Sequence, residues 1–310
     1  MIFGGEQFMN TLNTIWKKQV INWEYSSAAT PNLNHVPVQP FPASLHEQGE
    51  TRVIELNIAD VLGTAYAATS PSLLANYIRI CPNESINTQA SATSEVFFVM
   101  RGSGRTICDD GIITWKKGDT FTMPSNQGLC HEADSDTALY WTHDAPLLQY
   151  LGVSPTEARF KPAFYDGDAI FNEVNGMRDI ALSEGRNRIG MILGNRDCIE
   201  TKTISPSMWS LFNLLPAGEV QKPHRHQSVA LDLAVSSGSN TYTLIGKEVD
   251  SDGNIINPIK ADWATNTVFI TPPGWWHSHH NESDEDAYVF PVQDAGLHTY
   301  LRTLDIQFVK

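Results

Sequence analysis

The chain has 310 residues, 41% of them hydrophobic and 10% aromatic, with a formal net charge of -14. That is enough apolar material for a full core and enough length for two domains of ordinary size. The acidic balance argues against nucleic acid as a partner, because such binding draws most of its affinity from lysine and arginine. The four cysteines, Cys81, Cys108, Cys130 and Cys198, stand singly without CxxC spacing, so neither a disulfide scaffold nor a thiolate zinc site is suggested. The opening stretch MIFGGEQFMNTLNTIWKKQVINW has no apolar core behind a basic head, and no uninterrupted apolar run approaches the roughly 20 residues of a membrane span. A soluble, cytoplasmic protein with no membrane partner is expected.

In chain order, helical patterning is expected first over residues 6–18 (EQFMNTLNTIWKK). The Pro-rich segment TPNLNHVPVQPFPAS, 30–44, continues neither helix nor sheet and reads as an extended arm, across a barrel or a neighbouring subunit. Short runs of strand-like residues bounded by turn residues then dominate: SEVFFVMRGSGRT, GIITWKKGDTFTMP, SMWSLFNLLPAGE, ALDLAVSSGSNTYTLIG and TNTVFITPPG. Further helical patterning is confined to DAPLLQYLG and LHTYLRTL. One plan of strands closed by glycine and a proline turn occurs twice, from about Leu73 to Leu151 and from about Trp209 to Leu301, a tandem repeat of one barrel per half. The division that follows is an arm over 1–48, a first barrel over 49–155, a linker over 156–200 and a second barrel over 201–310.

Residues 270–283, ITPPGWWHSHHNES, gather three histidines where two prolines and a glycine dictate a tight turn leading into a strand. Imidazoles at such a rim are candidate metal ligands or proton carriers. The competing reading is a solvated turn anchored by its aromatic residues.

PAGEVQKPHRHQSVALDLAVSSG (216–238) and TPPGWWHSHHN (271–281) resemble the two characteristic motifs of the cupin superfamily. The first carries Gly218, His224, His226 and Gly238; the second carries Pro272, Gly274, His277 and Asn281. The segments look most like the metal-bearing cupin of gentisate 1,2-dioxygenases and their salicylate and 1-hydroxy-2-naphthoate cleaving relatives, which are all-β bicupins. In HxH on one strand, period-two alternation sends both imidazoles to one face, and a third from the facing strand closes a triad. His224, His226 and His277 are that triad. The glutamate ligand of many cupins falls at Leu231, which leaves a neutral three-histidine site suited to iron, copper, nickel or zinc. The resemblance implies one Fe(2+) per chain, dioxygen as co-substrate and catabolic ring or C–C cleavage. It also implies that His279 hydrogen-bonds substrate oxygen or works as an acid or base. His280 is expected in solvent, Arg225 on the outer face, and Trp209, Trp275 and Trp276 either around an aromatic pocket or in the core.

Two departures qualify the resemblance. Where gentisate-type enzymes carry a substrate-holding arginine, this chain has Asp232, so a pocket-facing Asp232 argues against gentisate and for a hydroxylated, amine-bearing or diketone-like chelator. The metal cupin of the family is usually the first, whereas here Thr88 and Ala90 stand at the first barrel's histidine positions. Leu129 holds its third position and His131 is displaced by two. The first barrel is therefore expected to be metal-free, with Glu95 and His131 as a polar relic, and to serve packing or the interface of a homo-oligomer. Besides the dioxygenase, two readings stay open: an isomerase, lyase or decarboxylase using manganese, nickel or zinc as Lewis acid, and a non-catalytic binding bicupin.

Overall fold

The computed structural model describes residues 12, 14–29, 31–124 and 128–309. It divides into two compact units, Met1–Asn34 and His35–Lys310. The helix expected over 6–18 falls largely outside the described residues, which show helix at 14–17. The first unit also carries a short helix, Tyr25–Ala28, capped by the Glu24 carboxylate through the amides of Ser26 and Ser27. Among the described residues no helix is long and apolar enough to cross a membrane.

The second unit contains two barrels built from parallel series of strands. The first series is β1 (Pro40–Phe41), β2 (Arg52–Glu55), β3 (Leu74–Ile80), β4 (Ser85–Thr88), β5 (Ser94–Arg101), β6 (Ser103–Cys108), β7 (Gly111–Lys116), β8 (Thr120–Pro124), β9 (Leu129–Ala133) and β10 (Thr137–His143). The second is β11 (Ala163–Tyr165), β12 (Ile189–Leu193), β13 (Trp209–Leu215), β14 (Val220–Arg225), β15 (Ala230–Ser236), β16 (Thr241–Gly246), β17 (Ile259–Asp262), β18 (Thr267–Thr271), β19 (Trp276–Asn281) and β20 (Ala287–Gln293), followed by β21 (Gln307–Phe308). Each barrel has a six-stranded and a smaller sheet, β11-β8-β5-β10-β3-β2 with β4-β9-β6-β7, and β1-β18-β15-β20-β13-β12 with β17-β16-β19-β14-β21. This is the expected all-β tandem of jelly-roll barrels. The arm strands are exchanged: β1 precedes the first barrel and pairs with β18 of the second, while β11 precedes the second and pairs with β8 of the first. The stretch 156–200, expected as a connector, supplies β11, the 17-residue helix Gly167–Ser183 and β12.

The strands of the large sheets read as continuous apolar runs because both their faces are buried. On β5, Val96, Phe98 and Met100 join a core shared by the barrels, while Phe97 and Val99 fill the interior of the first. Leu231 and Leu233 of β15 belong to the same shared core. Phe98 and Phe290 meet there with ring centroids 4.8 Å apart, and Tyr140 Oη donates to Leu231 O at 3.2 Å. A repeated Ser-Pro-Ser segment adds reciprocal struts: Ser72 Oγ donates to Asp294 Oδ2 and Ser207 Oγ to Asp144 Oδ2, both at 2.6 Å. Asp294 also accepts from Val229 N at 2.9 Å and thereby fixes the loop that follows His226.

The first barrel packs rings in its deep interior, beside a cavity of about 350 Å³ whose lining includes Thr88, Ala90, Trp141 and His143. Phe97 stacks between Phe121 and Trp141, at centroid distances of 4.7 and 5.8 Å. Glu95 and His131 are buried but not joined as a relic pair. Trp141 Nε1 donates to Glu95 Oε2 at 2.9 Å, and His131 bonds Thr88 and Thr106 instead. Glu95 Oε1 has no partner among the described residues. Burial pushes this carboxyl from 4.5 up to about 8, against the lowering effect of the Trp141 hydrogen bond. Because the folded value is raised, the stability contributed by the protonated group is complete below about 4.5 and is lost as pH rises through about 8. Glu95→Gln keeps an acceptor for Trp141 and removes the ionisation. It is expected to gain roughly 2–4 kcal/mol over wild type on passing from acid to alkaline pH, read by denaturant melts across that range; parallel pH profiles would show that Glu95 is not the group responsible.

Candidate metal centre

The second barrel gathers its histidines by register. His224, on β14, pairs directly with His277, on β19. The ring centroids are 4.0 Å apart for His224 and His277, 4.9 Å for His226 and His277, and 5.9 Å for His224 and His226. One nitrogen from each lies within 4.8 Å of the others, the one such group of metal-ligating side chains among the described residues. The turn Pro272–Gly274 sets this geometry. Gly274 takes a positive φ of 76°, which favours glycine, and its N–H donates to His226 O at 2.7 Å. In the first barrel the matching pair is Thr88 and Leu129, which offers no imidazole.

The ligands are oriented from behind. His226 Nδ1 lies 2.9 Å from both Ser228 O and Ser228 Oγ, and Ser228 Oγ donates in turn to Gln293 Oε1 at 2.9 Å. His277 Nδ1 lies 3.1 Å from Trp275 O. In both rings Nε2 is thus the nitrogen left for a cation. His224 stacks on Phe308 at 5.8 Å, and its buried Nδ1 meets no partner among the described residues. Burial first, then the neighbouring histidines, holds the His224 and His277 imidazoles well below their usual range; burial holds His226 down to about 4. Neutral imidazoles are the form that binds metal, and an under-partnered buried set fits a divalent cation.

The triad opens into a cavity of about 210 Å³ whose lining includes Arg188, Asn213, Gln221, Asp232, His279 and Gln293. An apolar cavity of about 150 Å³ accepts benzene, so this volume suits one substituted ring. Asp232 faces inward, buried, with Thr271 Oγ1 donating to its Oδ2 at 2.6 Å, and burial pushes its carboxyl up to about 7. His279 is held by a relay: Trp263 Nε1 donates to Thr243 Oγ1 and Thr243 Oγ1 lies 2.8 Å from His279 Nδ1, each contact at 2.8 Å. Since the indole can only donate, the threonine hydroxyl is free to donate onward to Nδ1, and in that tautomer Nε2 carries the proton. Burial, aided by Arg188 and neighbouring histidines, holds His279 down to about 3. His279 is thus held as a neutral imidazole, and with Thr243 donating to Nδ1 it has Nε2–H to offer. The first barrel repeats the relay as Trp115, Thr106 and His131, there closed by Thr88 at 2.9 Å.

Several expectations need correction or completion. The position of the missing carboxylate ligand is Ala230, not Leu231. Glu95 pairs with His143 and Ala230 with Gln293 at equivalent places, and alternation turns Leu231 into the shared core. His280 is half-buried, not solvated: it stacks on Tyr242 at 4.8 Å and bonds Ser278 at 2.9 Å. Arg225 faces outward, over Trp276 and hydrogen-bonded to Gln307. Trp209, Trp275 and Trp276 do not line the cavity. Arg188 was invisible in the sequence because it lies in the stretch expected as a linker. It enters at the start of β12, fixed by its bond to Lys222 O and its place over Phe308, 4.9 Å from the ring centroid.

No family model matches the chain. Over 80 residues, 26% of this chain and 23% of the relative, it is 36% identical to gentisate 1,2-dioxygenase 1 of Aquipseudomonas alcaligenes. Over 95 residues, 30% of this chain and 25% of the relative, it is 30% identical to 5-aminosalicylate 1,2-dioxygenase of a Comamonas species. The matches span about a quarter of the length of these curated relatives. In structure it is similar to salicylate 1,2-dioxygenase from Pseudaminobacter salicylatoxidans, with TM-score 0.73 and 13% identity over 99% of both chains. It is equally similar to that enzyme's adduct with gentisate, at TM-score 0.73 over 99% of this chain and 95% of the other. The fold is a bicupin, resembling the gentisate and salicylate 1,2-dioxygenases, with a three-histidine group consistent with a metal site.

His224→Ala and His226→Ala are expected to abolish metal retention in a chain that keeps its β-type circular dichroism, and wild type to hold about one ion per chain. Ser228→Ala should weaken metal binding on the order of tenfold. Metal analysis after dialysis checks all three; full occupancy in either histidine variant contradicts the ligand assignment.

Proposed function

We propose that this bicupin is a non-haem iron(II) dioxygenase that cleaves a C–C bond of a chelating, hydroxylated aromatic acid. The observation that carries the reading is a neutral group of three imidazoles, without a carboxylate in the cluster, opening on a single-ring cavity. His224, His226 and His277 would hold the metal. Held by these imidazoles, a ferrous ion would supply the redox chemistry that couples dioxygen to an electron-rich ring.

The chain's own groups account for binding and orientation. Arg188 is the one arginine or lysine in the cavity lining, and its guanidinium suits a carboxylate. It supplies the anion anchor that Asp232 appeared to remove from the sequence pattern, so ring acids return as the favoured substrates. His279 offers its Nε2–H to an oxygen of the chelated ring and, being neutral, does so without taking a proton. The names of the two curated relatives, which act on gentisate and 5-aminosalicylate, support the same class.

Anaerobically purified protein, loaded with ferrous iron and given gentisate, 5-aminosalicylate, salicylate, catechols, aminophenols and diketones, is expected to consume one dioxygen per ring acid cleaved. Arg188→Ala should raise KM for these acids by roughly 10–100-fold, the loss of about 1.5–3 kcal/mol of charge-assisted hydrogen bonding. Turnover that needs no oxygen and proceeds with zinc or manganese would contradict the proposal and favour Lewis-acid chemistry.

A further inference from the structure

The two barrels are built on one plan, and the places where their interiors differ define the second cavity. At equivalent register positions Phe97 pairs with Phe121 and Trp141, while Asp232 pairs with Phe269 and Pro291. The three-ring stack inside the first barrel is therefore reduced to one ring at these positions of the second. A carboxylate stands where the central ring would be, and a compact proline replaces the indole. Asp232 and Pro291, which stand at the positions of two of those rings, line the cavity.

That carboxylate is short of donors. It is 5% exposed, Thr271 Oγ1 serves Oδ2, and no hydrogen bond reaches Oδ1 among the described residues. Pro291, its partner on β20, has no N–H to offer. Arg188 lines the same cavity, but no ion pair joins it to Asp232, and the groups that perturb Asp232 are burial and Thr271 alone. The cavity thus presents a cation and a carboxylate acceptor as separate features. The free oxygen of Asp232 belongs to a residue that lines the cavity, where a donor from water or from a ligand can reach it.

We infer that Asp232 accepts a hydrogen bond from an amino or hydroxyl group on the substrate ring, beyond the groups that chelate the metal, and so selects donor-bearing ring acids over unsubstituted ones. The inference rests on the proposed aromatic-acid dioxygenase reading and names the substrate class of that site. Sites built to bond a substrate NH or OH discriminate strongly against analogues that lack it.

The test is anaerobic calorimetry on zinc-loaded protein, which binds without turning over, using salicylate, gentisate and 5-aminosalicylate, with metal content measured in each sample. Wild type is expected to bind the two donor-bearing acids at least tenfold more tightly than salicylate. Asp232→Ala should bring all three to within about threefold of one another while metal content holds, with Asp232→Asn, which retains an acceptor of the same shape, between the two. If the alanine variant does not fold, the asparagine variant decides by its direction. Equal affinities in wild type, or an unchanged ratio in a metal-loaded variant, overturn the role of Asp232 and leave the dioxygenase reading standing. Failure of all three acids to bind wild type overturns that reading, and the inference with it.

Discussion

The site depends on one constraint, the register that sets His224 opposite His277 across β14 and β19. Strand alternation then determines what faces inward, and a slip of one residue would exchange the imidazoles for the outward side chains Arg225 and Trp276. The register is held at both ends. The Pro272–Gly274 turn is tied to His226 O, and Asp294 fixes the loop after His226 while receiving Ser72 from the other barrel. The first barrel is thus part of the support of the ligand set, through a strut and a shared core, although it offers no such cluster itself among the described residues.

The first barrel also serves as an internal comparison. The same Trp–Thr–His relay stands in both, so its presence marks the scaffold rather than the chemistry. What differs is what meets the far side of the histidine. Thr88 closes His131 in the first barrel, whereas in the second that position is His224 and the relay ends in the cavity. The ring stack of the first barrel and its loss in the second follow from a few substitutions at matching positions, chiefly Phe97 against Asp232 and Trp141 against Pro291.

Much of this was legible in the sequence because strand period and turn chemistry are local. HxH, the PPGWWH turn and the Thr88 and Leu129 replacements all declare themselves within a few residues, and they place the triad and the first-barrel pair that lacks imidazoles. Counting failed where a loop length differs: one residue fewer after His226 shifts the absent carboxylate from Leu231 to Ala230. Nothing local reports on Arg188, since its approach to the cavity depends on the path of the helix Gly167–Ser183 and on Phe308 near the chain's end. The exchange of β1 and β11 between barrels is likewise a long-range pairing that no window of sequence reveals.

The central claim is that one metal sits among His224, His226 and His277 without a carboxylate ligand. Anomalous diffraction at the iron edge from crystals of iron-loaded protein tests it most directly. The account predicts one peak per chain, about 2 Å from a nitrogen of each of the three imidazoles, with any further ligand coming from solvent or substrate. A peak beside Glu95 in the first barrel, or an ion in the second coordinated directly by Asp232, would contradict it.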